Sequence, residues 1–411
     1  MSPEAIVYPF LFLAIFFESF VLVTLLSKPA RTARGRLRGS YTPSVAIIVP
    51  CWNEEETIAS TVESLFALEY PADKLEIILV NDGSTDGTAR VMERFADRPQ
   101  VTIIHKENGG KHTALNAGVA ATRAGIIGCL DADSFVEPDA LREIIPSFTD
   151  ARVAATTAAM SVHRPKNLLQ HMQNAEYIFG IALRHTLASV NGIYVTPGPF
   201  SFYRREVVEK LGGFRHGYQT EDMEMALRLQ KEGYAIENAP RARVYTKAPR
   251  TLLELITQRT RWTTGFMRNV LNDYYMLIGN RRHGALGMIV LPFGLVAVGG
   301  SIIVFFTMLY LLGRNTLAAF QIRAGIPLSY AFLPHGSFDW FFLPSNVYFL
   351  LALSAVITSL SLIVYGKRLS RTPGNVGMGL LSYLLLYGFV VPLWLLRSVA
   401  DVAFGKRRLW R

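Results

Sequence analysis

The chain has 411 residues, half of them apolar, with 42 Lys and Arg against 32 Asp and Glu for a formal charge of +10. A mean hydropathy of +0.25 excludes an ordinary soluble enzyme, and two cysteines exclude a disulfide scaffold. The basic surplus sits beside apolar segments, which favours anionic lipid and the positive-inside rule over nucleic acid as its partner.

The first apolar segment, IVYPFLFLAIFFESFVLVTLL (6–26), is long enough to cross a bilayer. It is too long for a signal-peptide core and no small-residue cleavage site comes after it, so it reads as a retained anchor. The basic run KPARTARGRLR (28–38) puts the globular region after it in the cytoplasm. Glu18, inside this segment, reads as a carboxylate satisfied by a neighbouring helix rather than a transport group.

From residue 44 the pattern alternates strand and helix. Strands are expected at 44–51, 75–82, 101–106 and 125–133, with helices near 54–68, 86–97, 113–122 and 138–147. Repeated strand–helix units imply a parallel sheet covered on both faces, with ligands bound beyond the carboxyl ends of the strands. Cys51 and Cys129 fall at strand ends and read as small reduced core residues.

Polar clusters lie at those strand ends. Asp82 opens VNDGSTDGT, where turn chemistry and helix capping would suffice to explain it. Lys111, in KENGGKHTALNAG, stands near a helix N-terminus and suits a phosphate or nucleobase contact, although the P-loop spacing is missing. Asp131 and Asp133 in LDADS lie two apart on an expected strand end, so they face the same way and repel. A cation relieves that repulsion, and hard oxygen ligands suit magnesium or manganese bridging to a diphosphate. Thr220, Glu221 and Asp222 open a helix, where acidic residues favour the dipole; Asp222 also suits a general base.

In TQRTRWTTG (257–265) an indole is crowded by guanidiniums. It could be a bilayer-surface anchor with snorkelling arginines, or a phosphate fork beside a sugar-stacking face. Residues 166–186 and 266–280 read as amphipathic helices at the membrane face, the second with Phe266, Val270, Tyr274 and Leu277 on one side. Further apolar segments lie near 286–312, 341–365 and 377–397. Three full spans would leave the terminal KRR outside, and Gly388 and Pro392 suggest a broken or re-entrant last segment. The expected organisation is an N-terminal span (1–27), a globular domain (40–265), an amphipathic interface helix (266–284) and a C-terminal membrane region (285–411).

The motifs VPCWNEEETI, VNDGSTDGT, LDADS, TED and QRTRW, in that order over about residues 44–265, resemble processive inverting family 2 glycosyltransferases. Within that group the chain is similar to poly-N-acetylglucosamine, chitin-oligosaccharide and hyaluronan synthases; the F-x-V-T-x-K motif of cellulose synthases is missing. The resemblance implies an α/β, Rossmann-like glycosyltransferase A-type domain with a parallel-rich sheet, flanked by transmembrane and amphipathic helices. It implies a multi-pass cell-membrane enzyme with a cytoplasmic catalytic domain, a UDP-sugar donor (UDP-N-acetylglucosamine first), a growing polysaccharide acceptor and magnesium or manganese. An accessory membrane subunit is compatible with it. By resemblance, Asp82 and Lys111 contact the nucleotide, Asp131 and Asp133 bind donor and metal, and Gln258 and Arg261 hold the diphosphate. Asp222 is the base, and Glu221 and Trp262 face the acceptor. Alternatives are single-sugar transfer to a polyprenyl phosphate, a nucleotidyltransferase, or a non-catalytic nucleotide-sugar-binding transport or scaffold protein. The Pro197–Gly198–Pro199 stretch departs from the group's small-residue pattern and bears on acceptor specificity.

Overall fold

A computed structural model describes residues 3–27, 41–322 and 347–405. The basic run 28–38, the terminal KRR and the first residues of the expected third span lie outside them. The apolar run after residue 44 forms β1 (Val45–Cys51), with β2 (Leu75–Asp82) and β4 (Ile126–Cys129) parallel on either side and β3 (Val101–Lys106) parallel beyond β2. Alternation along β1 splits the core between two faces. Val45, Ile47 and Val49 pack with α2 (Ile58–Phe66) and α5 (Ala140–Ile144). Ala46 and Ile48 pack with α4 (Lys111–Ala120) and α8 (Glu221–Lys231). Both cysteines are free and buried.

The sheet continues through β7 (Ser201–Arg204), β6 (Val153–Val162), β8 (Ala235–Thr246) and β5 (Ser134–Val136), in the order β3-β2-β1-β4-β7-β6-β8-β5. β7 runs antiparallel to β4 and β6, and β5 antiparallel to β8; the other pairings are parallel. The expected strand 125–133 is therefore one short strand and a turn, with β5 starting just beyond it. β4 stops at Cys129, and the Ser134 amide donates to the Asp131 carbonyl at 3.0 Å before β5 begins. Asp131 and Asp133 are turn residues, so strand alternation does not orient them.

Among the described residues, four helices are long and apolar enough to cross a membrane, over Ala5–Ser27, Leu286–Gln321, Phe349–Ser370 and Gly377–Ala403. They belong to α1 (Pro3–Ser27), α10 (Leu291–Ile322), α11 (Val347–Ser370) and α12 (Gly377–Ala403). Ser359 of α11 lies within hydrogen-bonding reach of Glu18. The expected break in the last segment is absent: α12 is one helix with Pro392 inside. Val390, Trp394 and Leu395, on both sides of the proline, pack in one cluster with Met172 and Leu255 of the globular domain, and that packing keeps the helix continuous.

Of the expected amphipathic helices, 166–186 is α6 (Leu168–Ala188), which runs beneath the spans. Its Met172 shares a cluster with Val298 and Trp394, Ala175 and Ile178 one with Ile363, and Ala182 one with Val21 and Leu362. No side-chain layer separates it from two of them. A Cβ on Gly366 would lie 2.3 Å from the Ile178 carbonyl oxygen, and one on Gly379 would lie 3.3 Å from that of His171. Residues 266–280 do not form a single α-helix. Instead α9 (Leu252–Arg268) carries the QRTRW motif, followed by a π-helical turn (Asn269–Asp273) and short 3-10 turns. The π turn ends at Asp273, and Gly279 and Gly284 beyond it, both at positive φ, lie outside the helical region. Phe266, Val270, Tyr274 and Leu277 nevertheless enter one core cluster.

Candidate active site

A cavity of about 690 Å³ opens beyond the carboxyl ends of β1, β2 and β4. Its walls include Asp82, Lys111, Asp131, Asp133, Glu221, Asp222, Gln258, Arg261 and Trp262. All nine residues singled out from the sequence thus face one space. They do so through side chains far apart in the chain, on β2, α4, the β4–β5 turn, α8 and α9.

Asp82 is the most confined of them. Its Oδ1 receives Lys106 Nζ at 2.5 Å and the Gly109 amide at 3.1 Å, and its Oδ2 the Gly110 amide at 2.9 Å. The buried carboxylate therefore shapes the glycine turn that starts α4 and carries Lys111. Lys111 Nζ in turn lies 2.6 Å from Asp131 and 3.1 Å from Glu221. Burial would lower the lysine's pKa, but Asp131, Glu221 and Asp222 outweigh it and hold the ammonium well above the usual range. Burial pushes Glu221 up, but the same ammonium, its own backbone amide and Arg261 together outweigh it and keep that carboxyl low.

Asp133 and Asp222 have no such cation. Each presents part of its surface to the enclosed cavity rather than to bulk water, so it is reachable yet poorly solvated. Burial, then Asp131 and Glu54, push Asp133 up to about 7; Ser134 and Thr246 hydroxyls at 3.0 and 3.3 Å compensate only in part. Burial, then the adjoining Glu221, push Asp222 up to about 6 against the pull of Lys111. The Asp222 carboxylate accepts the Gly198 amide at 3.2 Å and its own helix's Met223 amide at 2.8 Å, so it both caps the start of α8 and faces the cavity. A Cβ at Gly198 would sit 2.5 Å from Lys111 Nζ and 3.1 Å from both Asp131 oxygens, so a side chain there would displace the Lys111–Asp131 pair. The two flanking prolines stiffen this close approach.

Among the described residues, no group of three or more His, Cys, Asp or Glu side chains is arranged as a complete metal cage. That agrees with a hard cation such as magnesium, which takes one or two carboxylates and fills its shell from phosphate and water. The half-compensated Asp133 beside Asp131 is a donor set of that kind.

On α9 the cluster divides by task. Gln258, Arg261 and Trp262 line the cavity. Arg259 does not: it is buried, bonds Glu176 Oε2 and Gln258 Oε1 at 2.8 Å each, and lies 4.2 Å over the Trp262 ring. Trp262 packs against the domain core, which removes the bilayer-surface anchor reading. α9 is held to the start of α8 by Asn269, whose side-chain amide donates to the Gly217 and Gly265 carbonyls and the Thr220 hydroxyl at 2.9–3.0 Å. A Cβ on Gly265 would lie 2.4 Å from that hydroxyl. Glu54, Glu176, Lys247 and Tyr387 of α12 also line the cavity. Of these only Glu54 was signalled, by its place in VPCWNEEETI.

A glycosyltransferase-like family 2 model matches residues 43–265. The poly-beta-1,6-N-acetyl-D-glucosamine synthase of Staphylococcus aureus strain COL is 30% identical over 241 residues, 58% of each chain. That of Staphylococcus epidermidis is 29% identical over 256 residues, 62% of this chain and 61% of the relative. The matches thus span about three-fifths of these relatives' length. The mannosyltransferase PcManGT of Pyrobaculum calidifontis, solved with GDP-Man and Mn2+, aligns over 98% of both chains with a TM-score of 0.60 and 20% identity, a likeness of fold. With its parallel-rich Rossmann-like sheet, apolar flanking helices and a family match over more than half its length, the chain belongs to glycosyltransferase-like family 2.

Proposed function

We propose that the protein is a membrane-bound inverting β-hexosyltransferase that uses a UDP-sugar, UDP-N-acetylglucosamine first, to elongate a polysaccharide and pass it out through the membrane. The globular domain lies on the cytoplasmic side in this reading. The observation that carries it is the convergence of two under-compensated aspartates and the Gln258–Arg261–Trp262 face on one cavity.

Asp222 takes the proton of the acceptor hydroxyl. That oxygen bonds to the anomeric carbon as the bond from this carbon to the UDP oxygen breaks, so the sugar inverts and UDP leaves. Gln258 and Arg261 hold the departing diphosphate, with Lys111 close by on the nucleotide side, and Asp82 keeps the turn that positions it. Trp262 lies under the acceptor sugar, fixed by Arg259, and Glu221 borders the same face. Asp131 and Asp133 would hold magnesium or manganese, which neutralises diphosphate charge when bound.

The test is a donor panel on full-length protein in detergent, reading nucleotide release and product mass together. UDP release with a ladder of sugar masses is expected. One sugar on a polyprenyl phosphate would replace polymerisation, and pyrophosphate release would end the transferase reading.

A further inference from the structure

Among the described residues, the cavity contains a cation without a counter-ion. Arg184 lines it from α6, on the helix face that also presents Tyr177, Gly180 and Leu183. Its Nε and Nη2 are buried and have no hydrogen-bond partner among the described residues. Other buried cations nearby are answered: Arg259 by Glu176, Lys111 by Asp131 and Glu221. Burial pulls the Arg184 guanidinium down to about 10, and the phenols of Tyr194 and Tyr177, which burial keeps neutral, act back on it. Snorkelling does not account for it, because a snorkelling arginine buries its stem and wets its head, whereas here head-group nitrogens are the buried atoms.

Position along α6 sets Arg184 apart from the face that Arg259 braces through Gln258 and Trp262. It lies eight residues along α6 from Glu176, roughly 12 Å at helical rise, and Glu176 is where Arg259 and the Trp262 platform are anchored. Around Arg184 the wall turns apolar: Leu183 and Tyr194, then Phe266 edge-on to Tyr194 at 5.7 Å, and Gly294 of the α10 span against Phe266. The loop carrying Tyr194 leads straight back to the base, since Thr196 donates to the Asp222 carbonyl at 2.8 Å. One end of this stretch thus meets the reacting centre and the other meets membrane helices.

We propose that Arg184 is an anion subsite for the acceptor and takes the phosphate of an alkyl or glycosyl phosphate, with any apolar part lying against Leu183 and Phe266. The guanidinium fork matches two phosphate oxygens, and the buried nitrogens gain the partners they lack. The inference rests on the cavity being a glycosyl-transfer site and names the acceptor chemistry that starts a chain there.

The experiment measures binding to full-length parent, Arg184→Gln and Arg184→Lys protein in one detergent. The probes are a polyprenyl phosphate, the matching polyprenol, N-acetylglucosamine 1-phosphate and UDP. The parent should bind the polyprenyl phosphate at least about tenfold more tightly than the polyprenol. Arg184→Gln should erase that preference with UDP affinity kept, and Arg184→Lys should retain part of it. Binding of the sugar phosphate as tight as the lipid form assigns the subsite to a soluble acceptor; binding of the lipid form alone assigns it to a membrane one. A parent indifferent to the phosphate, or a preference undiminished in Arg184→Gln, overturns the subsite. If Arg184→Gln also loses UDP, Arg184→Lys decides, and an undiminished preference there overturns it. UDP release from UDP-N-acetylglucosamine is read separately: its absence in the parent defeats the transferase reading, whereas release without any phosphate preference defeats only the subsite.

Discussion

Two carboxylate neighbourhoods share the cavity and are built oppositely. Around Asp82 every oxygen is answered by protein, through an ammonium and two backbone amides. Around Asp133 and Asp222 burial and mutual repulsion are left partly unanswered, and both carboxyls sit high. The first neighbourhood is finished and holds a turn in shape. The second is completed only by what binds, and perturbed acids in a cleft are where proton transfer and cation binding concentrate.

The sharpest way to break the contrast is Asp222→Asn. Transfer should fall by about 10²–10⁴-fold while UDP-sugar binding stays within a few-fold. The base works ionised and its pKa is raised to about 6, so the protonated fraction grows below that pH. Parent activity should therefore climb to a plateau above about pH 6 and drop roughly tenfold per unit below it. Single-turnover rates between pH 5 and 8 check both points; near-parental turnover would leave Asp222 only its capping role.

Next in size, Asp133→Ala should weaken UDP binding by about tenfold or more in magnesium or manganese and leave metal-free binding almost unchanged. Metal titrations against UDP affinity decide it, and equal metal dependence in parent and variant would remove the site.

Trp262→Ala should slow extension by about 1–3 kcal/mol, the cost of a stacked platform, with little change in UDP affinity. Arg261→Ala should do the reverse, and Arg261→Lys should recover charge without the fork. Product-length distributions and UDP affinity read side by side test the division; identical profiles for Trp262→Ala and Arg261→Ala would erase it.

The smallest effect belongs to the finished neighbourhood. Asp82→Asn keeps one acceptor oxygen for the glycine amides and loses only the charge facing Lys106. A few-fold loss of UDP affinity is expected, with an unaltered pH profile; a loss as deep as that of Asp222→Asn would show that the two neighbourhoods are one.

Much of this was legible in the sequence, because its signals were local. The alternation of β1 and β2 and the order of the motifs located the sheet and all nine cavity residues. The failures were tertiary. Glu176 and Arg259, 83 residues apart, meet only through the tertiary packing of α6 and α9, so no local pattern in QRTRW marks Arg259 as the arginine held by a carboxylate. Residues 266–280 kept a helical apolar period, yet Asn269 draws three oxygens from two elements to itself and the ladder gives way to a π turn. Asp131 and Asp133 looked like strand positions because Leu130 continues the apolar run; the turn that separates β4 from β5 is closed by a backbone bond that no side-chain pattern announces.

The bare contact between α6 and the spans has a mechanical consequence. Where Gly366 meets the Ile178 carbonyl, two helix backbones touch with no compressible side chain between them. Spans adjust to a thinner or thicker bilayer by tilting. Here a tilt of α11 is passed directly to the helix that carries Glu176, and so to the arginine bracing the Trp262 platform. On the proposed reading, the hydrocarbon thickness of the host membrane would thereby become a control on chain extension, separate from substrate supply. In vesicles of graded acyl length, extension rate should pass through an optimum while UDP affinity stays level; replacing Gly366 with alanine should shift or flatten that optimum, and a rate indifferent to thickness would uncouple the two.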